Sequence, residues 1–290
     1  MKSKEFIGYL LPAILITLGL IVLPVLMCIL FSFEDYSLGR QQAKFVGFSN
    51  YQAVLADSRF HRAVINTLIY VGVSIPVELL LGICLAFLLD SLRHRFFRSL
   101  LLGVILLPHI LTPVVGSLIF AWLFRSPWGI YDYALNAIGI KISWFGNPWA
   151  ARALLILFEI WQNTPLVSLV VFAGLQAVPP EPIEAAIVDG ASFVQRVRYV
   201  FIPLISPLIV FVTLIRSMDA YRVFDSVFVM TGGGPGSATE TLTFYNYIMA
   251  FRRLEIGKGA AISVITVIMI LFILAPFVYR TYREMLRGAY

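Results

Sequence analysis

Six runs of apolar residues, each about 20 residues or longer, dictate what this chain can fold into. They lie at roughly 7–31, 63–89, 99–124, 153–178, 200–229 and 260–279. About 20 apolar residues suffice to cross the hydrocarbon core of a bilayer as a helix. No water is present there, and the α-helix satisfies its own backbone hydrogen bonds. Composition agrees. The 290 residues are 60% hydrophobic and only 13% charged, whereas a soluble domain is nearer 25% charged. The expected fold is an all-α polytopic membrane protein with six transmembrane helices. The first run is too long for a signal-peptide core, and Phe31-Ser-Phe-Glu-Asp-Tyr36 is a poor small-residue cleavage site. It reads as a retained helix.

Orientation follows from Lys and Arg near the span ends. Lys2 and Lys4 precede the first run, Arg93, Arg95 and Arg98 crowd the short second connection, and Arg196 and Arg198 lie in the fourth. Arg280, Arg283 and Arg287 follow the last run. The other side holds as many basic residues, but in longer loops that also carry Asp and Glu. This density places both termini in the cytoplasm, together with a polar island at 184–203. The net charge of +6 is explained by topology and anionic lipid and calls for no nucleic acid. The chain reads as a single domain over 1–290, with a core bundle at about 63–280 and a first helix and outer loop at 1–62. No internal repeat is visible, which disfavours an inverted-repeat transporter.

The island begins where Val178-Pro-Pro-Glu-Pro182 stops the fourth span, because proline cannot continue a helix. Pro182 suits the first turn of a new helix. Residues 183–188 then read as a short helix with Glu184 near its positive end. Ala185 and Ala186 leave a low surface that permits close approach, and Gly190 suits a left-handed helix end. Residues 191–199 read as a second, amphipathic helix. Patterning alone leaves two readings open: an interfacial hairpin that merely joins two spans, or a docking surface.

The wording of the island favours the second. Glu184-Ala185-Ala186, three residues, Gly190, nine residues, Val200, one residue, then Ile202-Pro203 resembles the EAA loop of ABC importer permeases. It departs from that signature only in Val200 for Ile and Ile202 for Leu. The segment Val229-Met-Thr-Gly-Gly-Gly-Pro235, followed by Thr239-Glu-Thr-Leu, Tyr247 and Ala250-Phe251, resembles the stretch before the last helix of sugar-type permeases. Arg222-Val-Phe224-Asp225 and Asn66-Thr67 fit the same pattern. The chain is thus similar, over nearly its whole length, to the permease subunit of a carbohydrate ABC importer.

The resemblance implies a coupling-helix hairpin between helices four and five, in which Glu184, Ala185, Ala186, Asp189 and Gly190 engage a cytoplasmic ATPase. It implies as partners a second homologous permease subunit, two ATPase subunits and an extracytoplasmic solute-binding protein, in the bacterial inner membrane. ATP and magnesium would be bound by the ATPase, so no cofactor or metal is expected in this chain. Gly232-Gly-Gly-Pro-Gly236 lacks the Lys-Ser or Lys-Thr of a P-loop; it reads as a tight turn closing the outer end of the fifth helix. Contact of that turn with the binding protein is a weaker alternative.

The substrate path is sought among polar groups at membrane depth, which usually face a bundle interior or a water-filled route. In the fourth span, Glu159, Trp161, Gln162 and Asn163 gather before a helix-breaking Pro165. In the fifth, Asp219, Tyr221, Arg222 and Asp225 follow Arg216. Asp219 and Arg222 can meet at helical i,i+3 spacing, as can Arg222 and Asp225. Hydroxyl-rich sugars need such hydrogen-bonding groups beside aromatic rings. A gate or packing ion pair is the competing reading, and Arg216 with Arg222 could instead attract an anionic sugar. His109 reads as a lone packing residue, His61 and His94 as loop residues, and Cys28 and Cys84 as small packing groups. Trp122, Trp128, Trp144 and Trp149 suit an outer aromatic belt. No Ser-His-Asp order, HExxH or paired catalytic carboxylates occur, so the chain reads as a transport subunit and not an enzyme. The alternatives are an ABC permease for a non-sugar solute and an ion-coupled secondary transporter.

Overall fold

A computed structural model describes residues 11–12, 15–37 and 44–287, with side chains through 275. Lys2, Lys4 and the start of the first apolar run lie outside the described residues, as do the side chains of Arg280, Arg283 and Arg287. The described chain is helical, with one isolated bridge pairing Glu34 and Phe45. Five helices are long and apolar enough to cross a membrane: Leu15–Ser32, Ser58–Ser91, Pro148–Gln176, Phe193–Tyr221 and Ile256–Ala275. A sixth candidate is a bent pair, Arg95–Ile110 and Pro113–Phe124, whose axes differ by 94°.

That bend corrects the expectation of one straight helix over 99–124. Pro113 opens the second member at its first turn. The residue before a proline is driven out of the α region by the pyrrolidine ring. Thr112 is accordingly extended, at ψ 144°, and Leu111 before it is extended as well, at ψ 137°. Pro165 was expected to break the fourth span and does not: the helix Pro148–Gln176 runs through it. One missing N–H costs a single hydrogen bond, and this helix is packed on Val167, Val171 and Leu175 just beyond it.

The fifth span also departs from expectation. Its helix starts at Phe193, inside the polar island, and ends at Tyr221 rather than near 229. A π turn at Val197–Phe201 marks the join, immediately before Pro203, and another at Leu18–Val22 precedes Pro24. In each, loss of a proline N–H coincides with a turn widened to i→i+5 bonding.

The described chain groups into two compact units. One comprises Met1–His61 and Leu242–Leu271. Here the Asn50 amide donates to the carbonyls of Ser32 at 3.0 Å and Glu34 at 2.9 Å, tying the end of the first helix to the next one. The other comprises Arg62–Thr241 and Phe272–Tyr290. Its core joins Ala86, Val167, Val171, Leu175, Phe201, Ile205 and Val212. Two of its helices touch at Gly82, where an added Cβ would lie 2.6 Å from Val167 Cγ1. Only glycine permits that approach.

Candidate functional site

Two places in the larger unit gather the polar residues of the sequence: a charged cavity and the 180–203 hairpin.

The cavity begins with Arg216, near the C-terminal end of the Phe193–Tyr221 helix and only 3% exposed. Its Nε donates to Glu78 Oε2 at 3.0 Å, and its second terminal nitrogen donates to Glu159. Glu78 is fully buried on the Ser58–Ser91 helix, and Glu159 is 6% exposed on the Pro148–Gln176 helix. Tyr70 donates its hydroxyl to the other oxygen of Glu159 at 2.9 Å. Three separate helices therefore meet through one guanidinium. A buried charge costs several kcal/mol to desolvate, which is offset only when its partners are well placed. Arg216 places three N–H groups toward carboxylates, counting a longer 3.6 Å contact to Asp219. Asp219 in turn accepts from Arg222 at 2.6 Å.

This chain of charges lines one side of a cavity of about 570 Å³. Glu159, Gln162, Asn163, Asp219, Arg222 and Asp225, all singled out from the sequence, line it together. Trp161 and Tyr221 do not. Trp161 packs beside Phe120, with ring centroids 5.5 Å apart, and Tyr221 is 2% exposed with its hydroxyl unpartnered among the described residues. The helix ends at Tyr221, so Arg222 faces back to Asp219 and does not share a helical face with Asp225. Residues 222–224 leave the helix and line the cavity from the break.

The bend at Leu111 opens on the same cavity. Its freed carbonyl accepts from Gln162 Nε2 at 3.1 Å. Gln162 therefore both lines the cavity and satisfies the half-buried carbonyl left free by the bend. His109, read as a packing residue from the sequence, also lines the cavity, and its Nδ1 has no partner among the described residues.

Sequence reading missed Glu78 and Tyr70. The signal for Glu78 was present: a carboxylate inside the apolar run of residues 63–89 is a functional candidate by default. Nothing local marks Tyr70, whose role depends on Glu159 lying 89 positions away.

The hairpin consists of a helix Pro180–Val188, a turn, and the start of the Phe193–Tyr221 helix. The helix opens three residues earlier than 183 because Pro180 already suits the first turn. The expected second helix over 191–199 is not separate but the first turns of the fifth span. Asp189 caps the short helix, and Gly190 follows at φ +77°. The Ala191 N–H reaches back to the Ala186 carbonyl at 2.9 Å, closing the left-handed end. Ser192 and Gln195 form a capping box that starts the next helix. Ile183 packs against the core and anchors the hairpin. Glu184, Ala185, Asp189 and Gly190 are exposed, Ala186 is half-buried, and Val188 is 86% exposed.

The Gly-rich segment behaves as a turn. Gly232 caps the π turn Val227–Thr231 in the left-handed region. Thr231 and Thr239 share a hydrogen bond across it at 2.8 Å.

Residues 51–287 match the family described as binding-protein-dependent transport system inner membrane component. The trehalose/maltose transport system permease protein MalF of Thermococcus litoralis is 31% identical over 277 residues, covering 93% of this chain and 92% of the relative. The sulfoquinovosyl glycerol transport system permease protein SmoG of Agrobacterium fabrum is 35% identical over 278 residues, covering 95% and 88%. Among solved structures, a bacterial ABC transporter involved in the import of the acidic polysaccharide alginate has a chain similar in fold, with TM-score 0.86, 21% identity, and coverage of 97% of this chain and 96% of that one.

Proposed function

The chain belongs to the binding-protein-dependent transport system inner membrane component family, and from that premise we propose that it is the permease subunit of an ABC importer for a sugar or related polyol. The relatives named for trehalose, maltose and sulfoquinovosyl glycerol support the carbohydrate class. The single observation that carries the reading within this chain is the exposed hairpin, on which Glu184, Ala185, Asp189 and left-handed Gly190 face outward and Ala186 is half-buried.

In this reading the bent pair Arg95–Ile110 and Pro113–Phe124 counts as one span, giving six. Both termini and the hairpin face the cytoplasm of a bacterial inner membrane, and 1–290 acts as one permease domain. The helix Pro180–Val188 is the coupling helix. It docks on one of two ATPase subunits, which bind ATP and magnesium. A second homologous permease completes the translocation path, and an extracytoplasmic binding protein delivers the solute.

Mechanically, the ATPase biases a two-state membrane element. The short helix is joined to the fifth span through only Asp189, Gly190, Ala191 and Ser192. Displacement of Pro180–Val188 is therefore transmitted to the Phe193–Tyr221 helix, and with it to Arg216 and Asp219. Glu159, Gln162, Asn163, Asp219, Arg222 and Asp225 form the polar face of the path, supported by their shared cavity. Trp161 and Tyr221 lie outside that lining.

The test is purification of the tagged chain from its native membrane, followed by reconstitution in liposomes. Co-purification of a second permease and an ATPase, with vanadate-sensitive uptake of maltose or trehalose when the binding protein is added, is the expected result. Uptake driven by a proton gradient without ATP overturns it.

A further inference from the structure

The cavity carries more carboxylate than guanidinium, and its guanidiniums are already engaged. Glu159, Asp219 and Asp225 line it against Arg216 and Arg222. Arg216 is held by Glu78 and Glu159, with Asp219 at 3.6 Å. A substrate carboxylate could bind it in the fork geometry only by displacing one of those partners. Arg222 is more open, but it donates to Asp219 at 2.6 Å. Asp225 has no ion-pair partner among the described residues and faces the same space.

We propose that this cavity admits uncharged polyhydroxylated solutes and excludes anionic ones, so that the cargo is a neutral sugar and not a sugar acid or sugar phosphate. This rests on the importer reading given above. Gln162 and Asn163, both under 10% exposed, line the cavity with neutral amides, which each keep a second N–H and an oxygen after donating to the Leu111 and Glu159 carbonyls. Asp219 and Asp225 accept from hydroxyls, as sugar recognition requires, while repelling carboxylates and phosphates. One charge in excess within about 10 Å, at an effective dielectric near 20, biases local ion concentration by more than roughly tenfold. Asp219 is the specificity-determining residue, because it alone contacts both guanidiniums.

The test reads the sign of the cavity directly. Val223 lines it, and Val223→Cys is placed in a Cys28→Ser, Cys84→Ser background of the whole transporter complex in membrane vesicles. Labelling rates with a cationic trimethylammonium-ethyl methanethiosulfonate and an anionic sulfonato-ethyl methanethiosulfonate are each divided by the rate on free cysteine. The expected ratio favours the cation by more than roughly tenfold, and Asp219→Asn lowers it severalfold. A ratio of one or below, or no labelling by either reagent, overturns the proposal. In parallel, ATP-dependent uptake is compared for maltose, trehalose and maltobionate. Uptake of maltobionate at the rate of maltose overturns the charge assignment and leaves the importer reading standing. Cation-selective labelling without ATP-dependent uptake of any sugar does the reverse.

Discussion

Arg216 Nε lies 3.0 Å from Glu78 Oε2, and both side chains are almost wholly buried. The two residues sit 138 positions apart, on helices that no local pattern pairs. The contact fixes the register of the second and fifth spans, and Glu159 brings in the fourth.

Removing one member of this cluster leaves an uncompensated buried charge. Arg216→Ala or Glu78→Ala should destabilise the chain by about 3–5 kcal/mol. Glu78→Gln, which keeps the shape and one hydrogen bond, should cost less. Thermal unfolding in detergent, monitored by size-exclusion chromatography, checks the ranking. Equal losses for Ala and Gln would contradict it.

Gln162 holds the carbonyl at the bend. Gln162→Leu should cost about 1–3 kcal/mol by stranding the Leu111 carbonyl, whereas Gln162→Glu protonated at the same place should be milder. Hydrogen exchange at residues 111–116, measured by mass spectrometry, should rise in the Leu variant. Unchanged exchange would show that another group satisfies the bend.

The hairpin turn is set by backbone and not by space. A Cβ at Gly190 meets nothing within 4 Å, yet φ is +77°. Gly190→Ala should therefore cost roughly 1–2 kcal/mol locally, Gly190→Asn less, and Gly190→Val more. We expect uptake and sugar-stimulated ATPase activity to fall in that order while the amount of assembled complex stays constant. A flat response across the three variants would remove the turn from coupling.

Substitution within the cavity tests the path. Asp219→Ala or Arg222→Ala should reduce uptake by at least roughly tenfold, the loss of one or two charge-assisted hydrogen bonds, with normal membrane insertion. Wild-type uptake in both variants would exclude these residues from the route.

A pH effect is expected in the smaller unit. Tyr245 is fully buried and donates to Asp57 at 2.6 Å. Partial burial pushes the Asp57 carboxyl up, but hydrogen bonds from Tyr245 and the Arg59 N–H, with the Arg253 and Arg59 guanidiniums, outweigh it and hold Asp57 below the usual carboxylate range. A folded value below the unfolded one gives stability that is complete above the unfolded value and is lost as pH falls through the folded one. The unfolding midpoint should therefore drop between about pH 5 and pH 3, and Tyr245→Phe should flatten that slope. An identical slope in the variant would sink the assignment.

Much of this protein is legible in its sequence because burial in lipid leaves few options. Four of the apolar runs become single long helices, the third is bent and the fifth stops at Tyr221, and the Pro179–Gly190 punctuation gives a short helix with a left-handed end. Where the reading failed, a proline was weighed without its surroundings. Pro165 is carried through a helix by packing, while Pro113, preceded by residues free to extend, divides one.

What the sequence by itself determined is the medium, the helical class and the hairpin, since hydrophobic length and turn chemistry are local properties. The Asp219–Arg222 pair is local too and legible at i,i+3 spacing, but which charges meet across helices was decided only by tertiary structure. Glu78, Tyr70, Glu159 and Arg216 lie on three helices, and burial of one guanidinium requires carboxylates from distant segments. The ending of the fifth helix at Tyr221 then separated Arg222 from Asp225, because residues three apart share a face only while the helix continues.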